Sequence, residues 1–189
     1  LKWALSCPAF PYQNWIPLTL ISYLVDYQIG QLNPLVYHIS NLVLHLLCVL
    51  LFCRILHRMT GDIWPSFIAA AFFAVHPLRV ESVAWVSERK DVLAGVFWML
   101  TMLAYIRYRE RPSTSRYLFV CLAFVFGLVS KPMLVTLPCM LLLMDVWPLK
   151  KIERADWQCL LPYVLDKVPL LALSVVAIVG TALFQSSAI

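Results

Sequence analysis

Apolar residues run through this chain in long blocks separated by short polar junctions. Tyr37–Ile55 is 19 residues with only Arg54 charged, roughly 28 Å as a helix and enough to cross a bilayer. Val92–Ile106 is a second such block, prolonged to Tyr108, and Leu160–Phe184 is a third, with Asp166-Lys167 near its start. Two blocks fit a single straight crossing poorly. Trp64–His76 has 13 residues where about 20 are needed. It ends at His76-Pro77, and a residue before proline is pushed out of the α region, so the helix is expected to stop there or to continue as a second short helix around Val80–Val86. Tyr117–Trp147 has 31 residues, broken by Ser130-Lys131-Pro132. One crossing leaves too many residues there, and two are each short.

The basic residues at the junctions decide between these. Arg54 and Arg58 follow the first block, Arg107, Arg109, Arg111 and Arg116 follow Val92–Ile106, and Lys150, Lys151 and Arg154 follow Trp147. All three groups fall on one side only if Tyr117–Trp147 crosses twice, as the tendency of Lys and Arg to stay cytoplasmic favours. The expectation is an all-α polytopic membrane bundle with about six spans, near 37–55, 64–77, 92–108, 117–130, 132–147 and 160–184. Residues 1–35 read instead as an outer loop, because Pro8, Pro11, Pro17 and Pro34 interrupt them. Their aromatics Trp3, Phe10, Tyr12, Trp15, Tyr23 and Tyr27 suit a headgroup boundary, with Ile16–Val25 as a short interfacial helix or, alternatively, a soluble loop. The transmembrane bundle then occupies 36–189. On the first span His38, Asn41 and His45 share one face, expected to point into protein because polar groups in lipid need partners.

Composition supports the membrane reading. The chain is 62% hydrophobic and 13% charged, about half the charge of a soluble domain. The excess of 15 Lys and Arg over 10 Asp and Glu belongs to the loops, and nucleic acid is not an expected partner. Cys7, Cys48, Cys53, Cys121, Cys139 and Cys159 are scattered, with no C-x-x-C pair, so no metal or redox site is expected from them. The chain starts at Leu1 and is read as a fragment, without a visible signal peptide or internal repeat.

The densest charge lies in His76–Asp91, HPLRVESVAWVSERKD, between two apolar blocks. The span count puts Arg79, Arg89, Lys90 and Lys131 on the non-cytoplasmic side, against the charge tendency. Broken helices end on that side too, and non-helical backbone at membrane depth is tolerated only where protein buries it or it lines a watery cavity. The expectation is a polar cavity opening outward. Arg79, Arg89, Lys90 and Lys131 are candidates to hold a phosphate. Glu81 and Asp91 are candidate catalytic carboxylates, able to act as a base toward a hydroxyl or to hold a divalent cation. His76 and Glu88 complete the polar rim, with His76 a helix-end hydrogen-bonding residue before it is a metal ligand. The competing reading is plain: Glu88–Asp91 as a solvated helix start, with Asp91 near the positive end of the helix dipole and Glu81 merely neutralising Arg79.

HPLRVESVAWVSERKDVLAG, SKPMLVTLP, LLLMDVWPL and YQNWIPLTLISYLVDYQIGQLNPLVYHISNLVLHLL together resemble bacterial membrane proteins that join a glycosyltransferase-like domain to C-terminal tetratricopeptide repeats. These are similar to the eukaryotic transmembrane-and-TPR O-mannosyltransferases. The resemblance covers nearly the whole chain. It implies a glycosyltransferase C-type fold, a site on the extracytoplasmic side of a bacterial inner membrane, and a polyprenyl-phosphate-linked sugar as donor to a protein or glycan hydroxyl. It also implies that the catalytic carboxylate belongs to an acidic pair upstream of residue 1; Asp26 is not promoted to that role. His76, Glu81, Arg89 and Asp91 match polar positions of the family, whose roles as cavity residues are implied by the resemblance. No cofactor is required by this reading, although a divalent cation is compatible with it. The alternatives are a non-catalytic membrane anchor or lipid-linked-glycan binding module and, ranked last, a transporter, which calls for inverted repeats that this chain lacks.

Overall fold

The structure is a computed structural model that describes residues 16–147, 149 and 157–186. Every regular element among them is helical. In order these are α1 (Pro17–Gly30), α2 (Pro34–Thr60), α3 (Ile63–Val75), α4 (Pro77–Ala84), α5 (Arg89–Glu110), α6 (Thr114–Ser130), α7 (Leu137–Val146), α8 (Trp157–Leu165) and α9 (Val168–Ser186). A 3₁₀ turn at Val86–Glu88 precedes α5, and another at Pro132–Thr136 precedes α7. The aromatics Trp3, Phe10, Tyr12 and Trp15, Cys7, the basic residues Lys150, Lys151 and Arg154, and the Cys159 side chain lie outside the described residues.

Punctuation residues set the helix ends. Asn33 accepts from the Leu35 N–H at 3.1 Å while Pro34 takes the first helical position, where its missing N–H costs nothing. α2 stops at Gly61, whose φ of 81° is the left-handed conformation a glycine adopts most readily. α3 stops at His76, as the following proline requires. The chain then bends by 57° into α4.

Among the described residues three helical stretches are long and apolar enough to cross a membrane: Pro34–Thr60, Val86–Glu110 and Leu161–Leu183. The bent pair α3 and α4 raises this to four, whereas α6 and Pro132–Val146 are shorter apolar helices. Of the six expected crossings, those near 117–130 and 132–147 are thus the ones that fall short of full length among the described residues. The 3₁₀ stretch offsets some of the shortfall: at about 2 Å rise per residue it lengthens Pro132–Val146 to roughly 25 Å.

Side-chain contacts fix the relative directions. α5 is the central post, with half of its apolar window buried against 22% for α2 and 17% for Leu161–Leu183. α2 runs parallel to it, since Asn41 meets Arg89 near one end and Arg58 meets Glu110 near the other. α6 runs antiparallel, with Phe97 against Phe126 and Tyr108 against Tyr117. α7 is parallel again, from Lys131 beside Asp91 to Asp145 beside Tyr105. Tyr105, Ile106, Phe124, Val120, Leu137 and Leu141 form the buried core between them. Gly127 lets α6 approach the 3₁₀ turn: a Cβ there would meet Leu134 Cδ2 at 2.1 Å. α1 lies over one end of this bundle, bonded through Thr19 to the Ser130 carbonyl, through Tyr23 to the Val86 carbonyl and through Asp26 to Ser40. It extends to Gly30, beyond the expected Val25.

Candidate functional site

The end covered by α1 carries most of the polar residues singled out in the sequence, divided into two groups with different fates. The first is interior. Arg89, at the start of α5, is 1% exposed. Its guanidinium ion-pairs with Asp26, donates from Nε to Asn41 Oδ1 at 2.8 Å and from Nη2 to the Tyr37 carbonyl at 2.9 Å, and reaches the Ser22 carbonyl from Nη1. The Tyr23 ring stacks 4.7 Å from it. Burial pushes the Tyr23 phenol above its ordinary value, against the pull of the Arg89 cation. Arg89 is thus a clamp joining α1, α2 and α5, with no face turned to a ligand. Arg89, expected among the phosphate-binding residues, is therefore found enclosed, because α1 supplies a carboxylate that draws it inward.

Asn41 serves the same clamp. Its Nδ2 donates to the carbonyls of Trp85 at 3.2 Å and Val83 at 3.4 Å, satisfying backbone acceptors at the break between α4 and α5. His45 is also buried, with Nε2 3.1 Å from the Ala74 carbonyl, whereas His38 is exposed, so the polar face of α2 points inward only from Asn41 onward.

The second group lines an open cleft. A cleft of about 460 Å³ brings Arg79, Asp91 and Lys131 together with His45, between apolar walls that include Phe73, Trp98, Met99 and Met133. Asp91, in the first turn of α5, ion-pairs with Lys131, which sits in extended backbone between α6 and the 3₁₀ turn. Arg79 projects from α4 with its guanidinium 4.6 Å from the Phe73 ring centroid. It is exposed and forms no ion pair among the described residues, so Glu81 does not neutralise it.

The other candidates stand apart from this cleft. Glu81 is exposed on α4 and does not line it. Lys90 pairs with Glu88 at 3.2 Å. His76 caps α4, its Nδ1 accepting from the Leu78 N–H at 3.2 Å. Among the described residues no three His, Cys, Asp or Glu side chains gather as a metal site.

A cluster that the sequence reading passed over lies at the opposite end. Asp145 is fully buried and accepts from the Tyr105 hydroxyl at 2.5 Å and from Arg109 Nε at 2.9 Å, with the Lys167 ammonium against both Asp145 and Tyr105. Arg109 also pairs with Asp166 at 2.9 Å. Two acids and two bases balance, and every member is bonded, which is the pattern of a structural lock. A lone acid in the apolar run LLLMDVWPL was its sequence signal.

With the geometry in place, the chain can be set beside known proteins. The family described as dolichyl-phosphate-mannose-protein mannosyltransferase matches residues 18–181. The chain belongs to that family. It is an integral membrane protein. Its relatives include Protein O-mannosyl-transferase TMTC2 of Mus musculus, 37% identical over 51% of this chain and 12% of the relative. Protein O-mannosyl-transferase Tmtc2 of Drosophila melanogaster is 31% identical over 70% of this chain and 15% of the relative. Protein O-mannosyl-transferase TMTC3 of Mus musculus is 33% identical over 51% of this chain and 10% of the relative. The chain therefore spans a small part of the length of these relatives. No solved structure matches it.

Proposed function

We propose that this chain forms the donor-phosphate wall of a membrane glycosyltransferase. The enzyme moves a sugar, mannose by analogy with the relatives, from a polyprenyl-phosphate carrier to a protein or glycan hydroxyl on the non-cytoplasmic face. The observation that carries this reading is the convergence of Arg79, Lys131 and Asp91 on one cleft with apolar walls. Two cations and a carboxylate suit the chemistry. As the bond between the sugar C1 and the phosphate oxygen breaks, negative charge grows on the departing polyprenyl phosphate, where Arg79 and Lys131 stabilise it. The acceptor oxygen bonds to C1 and loses its proton to a carboxylate. Asp91 fills that role once Lys131 turns from it to the phosphate. Trp98, Met99 and Met133 offer an apolar surface to the first isoprene units.

The test uses full-length protein in bilayers with polyprenyl-phosphate mannose and an acceptor. Asp91→Asn is expected to lower transfer by roughly 100-fold or more. Arg79→Ala and Lys131→Ala are expected to raise the donor KM, and Glu81→Gln to leave transfer near wild type. Wild-type transfer by Asp91→Asn removes Asp91 from the mechanism.

One feature favours a second reading, a lipid-linked-glycan binding module without chemistry. Asp91, the carboxylate that lines the cleft among the described residues, is already neutralised by Lys131. In that case donor binding is retained by Asp91→Asn, lost by Arg79→Ala, and accompanied by no transfer in any variant.

A further inference from the structure

A second opening lies elsewhere, between α5 and α6, in a groove of about 530 Å³. α5 contributes Phe97, Leu100 and Ala104 at helical spacing, and α6 contributes Phe119, Ala123 and Phe126. Two alanines at mid-groove leave the space, because neither fills the gap between the helices. Phe97 and Phe126 close one end, with ring centroids 5.6 Å apart. Arg107 and Arg116 stand at the other, where α5 ends and α6 begins. Arg107 is exposed, and among the described residues neither arginine has a carboxylate partner. Arg116 Nη1 instead donates to the Arg111 carbonyl at 2.7 Å, which holds its guanidinium beside the groove mouth.

We propose that this groove binds one anionic phospholipid, with an acyl chain between α5 and α6 and the phosphate against Arg107 and Arg116. Depth fits: Phe97 to Arg107 covers about 15 Å of helix, the thickness of one leaflet's hydrocarbon. Charge fits, since two guanidiniums at an apolar opening need an anion that itself carries an apolar tail. A free phosphate would leave the groove empty, and a plain apolar helix would bury both cations without partners. Leaflet fits as well, because the mouth shares its end of the bundle with Arg58, Arg111 and the Glu110 pair. By the positive-inside tendency this is the cytoplasmic surface, where anionic lipids concentrate. The site is separate from the Lys131 cleft and does not depend on the transferase reading.

Native mass spectrometry of the protein released from nanodiscs of equal phosphatidylglycerol and phosphatidylcholine tests this. Wild type is expected to retain phosphatidylglycerol at least fivefold over phosphatidylcholine. Arg107→Gln with Arg116→Gln is expected to abolish that preference, and Arg111→Gln, whose side chain lies off the groove, to keep it. Ala123→Phe, which fills the groove with both arginines intact, is expected to lose the lipid. A preference that survives the double change, or that falls equally with Arg111→Gln, overturns the proposal. So does a photo-crosslinking residue in place of Phe119 that captures polypeptide instead of lipid.

Discussion

Arg89 and Lys131 carry the same charge at the same end of the bundle, and their neighbours give them opposite duties. Arg89 meets a carboxylate from α1 and is enclosed; Lys131 meets Asp91 at an open cleft. A buried pair is costly to break from one side, because the remaining charge stays in a low-dielectric setting. Arg89→Met is therefore expected to destabilise the protein by about 3–5 kcal/mol. Asp26→Leu combined with Arg89→Met is expected to recover much of that loss. Equilibrium unfolding of wild type, Arg89→Met, Asp26→Leu and the double variant in mixed detergent reads these values, and a double variant as unstable as the sum of the singles would contradict the pairing. The density of charge in His76–Asp91 was legible in the sequence, but its division was not. Which cation is enclosed depends on Asp26, more than sixty positions earlier, and no local pattern expresses that distance.

Helix boundaries were the most readable features at the next scale, because they depend on local chemistry. His76-Pro77 and Ser130-Lys131-Pro132 break the chain where proline demands it. Asn33 before Pro34 starts α2 with a bonded side chain. Asn33→Ala is expected to cost about 1 kcal/mol and Asn33→Asp to cost much less, as thermal unfolding in detergent can report. Less readable was the 3₁₀ stretch Pro132–Thr136, since five residues are too few for periodicity to separate it from an α turn. It depends on the close passage of Leu134 past Gly127, a contact between elements. The polar face of α2 was likewise foreseen for Asn41 and His45 but not for the exposure of His38, near the helix start.

Across the whole molecule, two bonded polar clusters pin opposite ends of α5: Asp26–Arg89 with Asn41 at one, and Asp145–Lys167–Tyr105–Arg109 at the other. Arg89 and Arg109 are roughly 30 Å apart along the helix. Perturbations at such a distance without shared partners add, so Arg89→Met and Lys167→Met together are expected to match the sum of their separate effects within about 0.5 kcal/mol. A larger discrepancy would mean that α5 transmits strain between its ends. The break of Tyr117–Trp147 into two helices was legible from block length, loop charge and Ser130-Lys131-Pro132 together. The local form of the short segments was not, because apolar length shared between a bend and a 3₁₀ turn looks the same in sequence as a short span. The bend between α3 and α4 also bears on how the chain enters a bilayer. α3 is only about 20 Å long, too short to cross the hydrocarbon by itself although it is strongly apolar. Its continuation reaches α5 through carbonyls that Asn41 and Tyr23 must satisfy. Seating of this return stroke therefore depends on α1 and α2, the two helices that precede it in the chain.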